Sequence, residues 1–422
     1  MKLPCSKFCV LPWVHSFVSA VGDVYPCCFL AREAGDDNTL SYKLGNLSQE
    51  KAKSVYNNNN ISQLRRDILQ NNPPPACYKY CLNSESAGGM SYRKWANSEY
   101  FNLIDENKIN SSDKLPIKYW HVGFSNTCNF RCRSCNPSAS CSIDKEFSKN
   151  VDKYPVLLDN NNGSINYNPE NFINDKLLDQ LKKNYKDIEV LQFHGGEPLL
   201  QPQMWELLNF LIEKKKTNIK LQYNTNCSIL KYKTQSIFDI LKNFQPQNIM
   251  VQCSIDEVEE RAELVRKGTK WNIVKNNVLQ ILNSNICITL MGITASCLNV
   301  FRLPFILRYM IKHSMISPKH HWTNFYVNPV DEPSYYSLAV IPTDYREKII
   351  KDIEDVCDEY KHFCNFKSKL LTIIHILKTL PYNREAAQRF VDHTAALDAI
   401  RKENTYNIIP ETRIIRDFLK NS

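Results

Sequence analysis

The chain carries sixteen cysteines in 422 residues, and their spacing is uneven. Cys128-Asn-Phe-Arg-Cys132-Arg-Ser-Cys135 is a C-x3-C-x2-C run that brings three thiols into one small volume. Soft thiolates at that density suit zinc or an iron–sulfur cluster. Three protein ligands leave one metal position open, as a reactive centre requires, whereas closed structural sites use four. A three-cysteine zinc site completed by a distant histidine is the competing reading. Cys5, Cys9, Cys27, Cys28, Cys77 and Cys81 form a second group in the first fifth of the chain. Without a secretion signal, such sets point to metal or cluster ligation rather than disulfides. Cys141, Cys227, Cys253, Cys287, Cys297, Cys357 and Cys364 are scattered and read as small buried hydrophobes.

Elements must hold these groups in place. Short apolar runs predict strands at Lys118–Phe124, Glu189–Phe193, Ile219–Tyr223, Ile249–Ser254, Cys287–Ile293 and Trp322–Val327. Amphipathic stretches lie between them: Leu177, Leu181 and Tyr185 share a helical face, as do Leu207, Leu208, Leu211 and Ile212, and Trp271, Val274, Val278 and Ile281. Strand alternating with helix implies parallel strands joined by right-handed crossovers. Six repeats fit an incomplete barrel better than a closed eight-fold one. The cysteine triad follows the first of these strands, and loops after strand C-termini are where such folds bind ligands. His194-Gly195-Gly196-Glu197-Pro198 ends the second strand, Tyr223-Asn224-Thr225-Asn226 the third and Ser254-Ile255-Asp256 the fourth. Two glycines allow close backbone approach to a ligand, and Glu197 offers an acceptor for an ammonium group. Asn226 and Ser254 serve equally well as helix N-caps.

A triad of this spacing after the first strand of a partial barrel resembles the radical S-adenosylmethionine (SAM) superfamily. The resemblance implies a [4Fe–4S] cluster on Cys128, Cys132 and Cys135, with SAM chelating the fourth iron. One-electron cleavage of SAM would then give a 5′-deoxyadenosyl radical that abstracts hydrogen from a substrate. Gly195, Gly196 and Glu197 resemble the motif that binds the SAM amino group, and Asn226 and Ser254 become candidate contacts to its ribose or methionyl part. Ser134 departs from the pattern, since many members carry an aromatic residue before the third cysteine.

The N-terminal segment resembles the twitch/SPASM type of auxiliary-cluster domain. The likeness is carried by Cys9-Val-Leu-Pro-Trp13-Val-His15, Gly22-Asp-Val-Tyr-Pro-Cys27-Cys28, Gly45-Asn46-Leu47 and Cys77-x3-Cys81. Arg266-Lys-Gly268 before Trp271, Leu397-Asp-Ala-Ile-Arg401 and Pro410-Glu411 extend it. It implies a second iron–sulfur cluster on Cys9, Cys27, Cys77 and Cys81, with Cys28 the alternative to Cys27 and Cys5 a bystander. Structural zinc in the same thiolates remains open, and Trp13 and His15 read as packing around the site. In many relatives this domain follows the barrel, whereas here it precedes it.

The fold expected is therefore α/β: a partial (β/α)6 TIM-like barrel over residues 118–330, with an insertion at about 136–175. A Cys-rich auxiliary domain (1–95) and a linker (96–117) precede it, and a helical extension (331–422) follows. The first segment looks loop-rich and short of a core, with one helix near Ile61–Leu69. The Asn-rich stretch 159–171 reads as a surface insertion of lid type. Helices are expected at Ile349–Tyr360 and Lys369–Leu380. The formal charge of +9 is mild for this length and does not support a nucleic-acid partner beyond that excess. No signal-peptide core or membrane span is visible, so a cytoplasmic location is expected. The resemblance implies a flavodoxin- or ferredoxin-like electron donor and, first among substrates, a peptide or protein. A nucleotide, sugar, amino acid or RNA is the enzymatic alternative, and an iron–sulfur electron-transfer protein the non-enzymatic one.

Overall fold

The structure, a computed structural model, describes residues 3–32, 42–86, 88–105, 109, 114–158, 172–317 and 325–421. The Asn-rich stretch 159–171 lies outside them, as does the start of the strand expected at Trp322. Contacts divide the chain into two compact units. The first comprises Met1–Asn126, Asn168–Tyr223 and Lys231–Met250; the second comprises Thr127–Tyr167, Asn224–Leu230 and Val251–Ser422.

In chain order the described strands are β1 (His15–Val18), β2 (Asp23–Tyr25), β3 (Gly45–Asn46), β4 (Tyr119–Val122), β5 (Arg131–Cys132), β6 (Val190–Phe193) and β7 (Lys220–Thr225). Then come β8 (Lys231–Tyr232), β9 (Gln235–Ser236), β10 (Ile249–Ser254), β11 (Arg266–Lys267), β12 (Ile288–Ala295) and β13 (Phe325–Pro329). The six strands predicted from periodicity are β4, β6, β7, β10, β12 and β13, and the α/β class of partial-barrel type is the one observed.

In the first unit, strands run in the order β7-β6-β4-β1-β2-β3. β1, β4, β6 and β7 are parallel, with His15 opposite Tyr119, Tyr119 opposite Val190 and Val190 opposite Lys220. Alternation along parallel strands puts Trp120, Val122, Leu191, Phe193, Leu221 and Tyr223 on one face and Tyr119, His121, Gln192 and Gln222 on the other. The helices Asn174–Lys183 and Pro202–Glu213 bury Leu177, Leu178, Leu181, Leu207, Leu208 and Leu211 in this unit.

The N-terminal segment differs from the loop-rich reading. It contributes β1 directly to the parallel sheet and buries Phe8, Val10, Leu11, Trp13, Val14, Tyr56, Ile61, Leu64 and Ile68. The expected helix spans Asn59–Leu69, capped by the Asn58 side chain accepting from the Ile61 N–H, and buries Ile61, Leu64 and Ile68 at helical spacing.

In the second unit β12 and β13 are parallel, Met291 facing Phe325, and β12 also borders β10. The C-terminal region is helical as expected, at Arg346–Glu359 and Leu371–Thr379, with a longer helix Arg384–Arg401 that periodicity did not reveal. Its Ala396 and Leu397 pack with Ile143, Phe147 and Leu157, and Cys135 lies against this cluster. Part of the expected insertion is thus an ordered helix, Cys141–Ser148, whose N-cap Ser140 accepts from the Ile143 N–H.

Candidate functional site

In the second unit the triad loop is built around a short antiparallel pair, β5 with β11, in which Cys132 faces Arg266 and Arg131 faces Lys267. The Arg133 N–H donates to the Val265 carbonyl at 2.9 Å, and the Cys135 N–H to the Cys132 carbonyl at 3.2 Å. From the next helix, Ser140 Oγ donates to the Phe130 carbonyl and Ser142 Oγ to the Cys128 carbonyl, both at 2.7 Å. Gly268 has φ +108°, and a Cβ there would stand 2.9 Å from the Asn129 carbonyl oxygen, so only glycine lets the strand close on this loop.

The electrostatics suit deprotonated sulfur bound to a cation. Burial pushes the Cys135 thiol up to about 12, and the neighbouring Cys132 and Cys128 add to it. Cys132 is also raised by burial, against the pull of the Arg266 guanidinium. A metal centre, which deprotonates its ligands, offsets the burial and like-charge effects that keep these thiols protonated. The donor set therefore fits an iron–sulfur cluster.

Ion pairs fix the loop to the C-terminal region. Arg133, 1% exposed, donates through Nη2 to Asp398 at 2.6 Å and to Glu403 at 2.7 Å. Arg131 pairs with Glu146 at 2.7 Å, and Arg401 pairs with the same carboxylate at 2.6 Å. Lys267 reaches Glu403 at 2.6 Å.

Asn226 is tied to the triad loop: its amide donates to Asn129 Oδ1 at 3.0 Å, while its Oδ1 accepts from the Ser228 N–H at 2.9 Å. Ser254 ends β10 half-buried. Two residues on, Asp256 accepts from Arg266 Nη1 at 2.7 Å and from the Thr294 N–H at 2.8 Å.

The glycine motif belongs to the first unit. Gly195 and Gly196 both have positive φ, +75° and +48°, which favours glycine at each. Gln201, 1% exposed, locks this turn by donating to the Gly195 carbonyl at 2.9 Å and the Ser125 carbonyl at 3.2 Å. Glu197 is fully buried, and one carboxylate oxygen caps the following turn by accepting from the Leu199 N–H at 3.2 Å. The same unit buries three imidazoles, with His121 4.6 Å from His194 and 5.7 Å from His15 between ring centroids. Burial holds His15 and His194 down at about 4 and His121 well below its ordinary value, so all three are neutral at pH 7.

The same unit contains the second cysteine group. Cys9, Cys27, Cys77 and Cys81 all line one recess, with Phe29, Tyr80, Tyr92 and Arg93. Cys28 and Cys5 are not among its lining residues; the Cys5 thiol donates to the Ile68 carbonyl at 3.1 Å instead. Among the described residues no three such side chains converge on the geometry of a single-ion site. Burial raises Cys9 and Cys27, pushes Cys77 up to about 12 and Cys81 up to about 11, with thiol neighbours adding to all four. Trp13 packs on Phe8 at 5.0 Å, and His15 Nδ1 donates to the Pro26 carbonyl at 2.8 Å; neither lines the recess.

Sequence reasoning missed what holds Cys9. The helix Tyr92–Tyr100 presents Arg93 and Asn97, one turn apart. Arg93 Nη1 donates to the Phe8 carbonyl at 2.7 Å, and Asn97 both donates to that carbonyl and accepts from the Val10 N–H, each at 2.8 Å. Glu85 pairs with Arg93 and anchors it. Polar residues on a short helix read as a solvated face, so no sequence signal marked them.

Residues 122–295 match the model of the radical SAM superfamily. That region is of the radical SAM type. Residues 9–83 of the chain match the SPASM model, an iron–sulfur cluster-binding domain. Its cofactors are accordingly a [4Fe–4S] cluster, SAM and an auxiliary iron–sulfur centre. Among solved structures it is similar to native anSMEcpe with bound AdoMet, at 16% identity and a TM-score of 0.39. That match covers 56% of this chain and 58% of the other, so the chain spans a little over half of that relative's length. It is also similar to SuiB from Streptococcus suis bound to the precursor peptide SuiA, at 13% identity, a TM-score of 0.34, and coverage of 72% and 53%. No curated protein matches its sequence. Among the described residues no helix is long and apolar enough to cross a membrane.

Proposed function

We propose that this protein reductively cleaves SAM at a cluster held by Cys128, Cys132 and Cys135, and modifies a peptide or protein by hydrogen abstraction. The observation that carries the reading is the loop holding Cys128, Cys132 and Cys135, where the first two lie near enough to act on the third, within the span that matches the superfamily model. When bound, the cluster and SAM supply a carbon radical that removes a hydrogen atom from the substrate.

The chain's own residues bind, orient and shield. Cys128, Cys132 and Cys135 provide three thiolates and leave one metal position for SAM. Gly195 and Gly196 keep the backbone open to its methionyl end, and Glu197 provides the counter-charge for its ammonium. Asn226 and Ser254 offer polar contacts to the remainder. Cys9, Cys27, Cys77 and Cys81 hold the auxiliary centre, Cys27 being preferred to Cys28 because it lines the recess. We take residues 1–95 as the auxiliary domain, 118–330 as the core and 331–422 as its helical extension. A flavodoxin- or ferredoxin-like protein supplies the electron, and the location is cytoplasmic. The polypeptide substrate rests on the resemblance to SPASM-type proteins, many of which take peptides.

Anaerobic reconstitution with iron and sulfide, followed by SAM and dithionite, tests this reading. The expected product is 5′-deoxyadenosine. A protein that takes up its iron yet forms none would be an electron carrier instead.

A further inference from the structure

We infer that Arg266, held by Asp256, is a charge-setting residue for the triad's cluster, fixing how readily that cluster accepts an electron. The inference deepens the function proposed above and rests on its cluster assignment. Arg266 and Cys132 are directly opposite in the β5–β11 pair, and such partners project from one face with Cβ atoms about 4.5–5.5 Å apart. The neighbouring Arg133 N–H bond to the Val265 carbonyl, at 2.9 Å, fixes that register. The Arg266 guanidinium also lies over the Phe130 ring, 5.9 Å from its centroid, so it is bracketed by residues of the cysteine loop.

Its position is not left to a flexible side chain. Nη1 donates to Asp256 Oδ2 at 2.7 Å, with the Asp256 side chain 5% and the Arg266 side chain 14% exposed. The other Asp256 oxygen accepts from the Thr294 N–H, and the Asp256 carbonyl accepts from Asn299 Nδ2 at 2.7 Å, so the acid is anchored in turn. Arg266 Nε is buried and has no hydrogen-bond partner among the described residues. Cys132 and Cys128 are both among the groups whose charge acts on this guanidinium.

A cluster gains negative charge on reduction. A fixed cation and a spare N–H donor beside its sulfur ligands favour the reduced form and raise the potential, and a nearby carboxylate opposes this. Arg266 and Asp256 therefore act with opposite signs, which a purely structural pair would not do.

The test is an EPR-monitored redox titration of the reconstituted full chain, read on the reduced signal that disappears in Cys132→Ala. This readout needs no SAM cleavage, so failure of the proposed reaction leaves it interpretable. Arg266→Gln is expected to make reduction about tenfold less favourable, a shift of about 59 mV to lower potential for a one-electron couple. Arg266→Lys should recover most of that shift, and Asp256→Asn should move the potential upward. Unchanged midpoints at full iron content would overturn the inference, as would downward shifts in both Arg266→Gln and Asp256→Asn. If Arg266→Gln does not retain its cluster, Asp256→Asn decides alone, an upward shift supporting the inference and any other result overturning it. Weakened SAM affinity in Arg266→Gln with an unchanged midpoint would assign the residue to the ligand and also overturn it.

Discussion

Glu197 has two demands on one carboxylate. It is buried and caps the turn after β6, and the proposed function also gives it the SAM ammonium. Glu197→Gln separates the two, because the amide oxygen can still accept from the Leu199 N–H while the charge is lost. Losing a charged hydrogen bond costs about 1.5–3 kcal/mol, or about ten- to a hundred-fold in affinity. SAM binding measured by equilibrium dialysis should weaken by that factor with iron content unchanged, and an unaltered Kd would remove Glu197 from the site. The imidazoles of His15, His121 and His194 make a different prediction, about pH. They face one another and Tyr119, and burial depresses all three in the folded state, to about 4 for His15 and His194. The unfolded chain takes up protons below its ordinary histidine value, near 6.5, before the folded one does. Their contribution is therefore complete above about pH 6.5 and lost as pH falls toward 4. The Tm should drop across that range, and the drop should be shallower in His121→Asn; identical pH profiles would contradict the neutral cluster.

At the scale of elements, the triad loop depends on the helix Arg384–Arg401 and the residues after it. Arg133→Ala would leave Asp398 and Glu403 without their buried cation, and breaking such a pair costs about 3–5 kcal/mol. The variant should melt at lower temperature and lose iron from the triad first; full iron retention would show that the strap is dispensable. The sequence revealed these elements unequally. β10 and β12 are apolar runs bounded by polar turns, and their limits were legible within a residue or two. β1, β2 and β3 have four, three and two residues, too short for a periodic signal, and His15 and Ser16 disguise the first. The helix Arg384–Arg401 buries His393 and Thr394 beside three alanines, so it lacks the apolar stripe that marks a helix. The cysteine spacing was legible because ligation constrains residue type and interval together. The Arg266–Asp256 pair was not, since its partners lie ten residues apart and only the β5–β11 pairing brings Arg266 to Cys132.

Across the whole chain, each compact unit carries one cysteine set. The first contains Cys9, Cys27, Cys77 and Cys81 together with Gly195, Gly196 and Glu197; the second contains the triad, Asn226 and Ser254. Independent sites should be separable by mutation. Cys77→Ala or Cys81→Ala should remove the auxiliary centre and speed amide hydrogen exchange within residues 9–83, because the metal stapling that segment is lost. Unchanged exchange would mean that the core around Trp13 suffices without it. Cleavage of SAM at the triad is tested by assaying 5′-deoxyadenosine in the reconstituted Cys128→Ala/Cys132→Ala/Cys135→Ala protein beside the unsubstituted one. No product is expected from the variant, while about four irons per chain persist in the auxiliary centre. Normal 5′-deoxyadenosine formation by that variant would contradict cleavage at the triad.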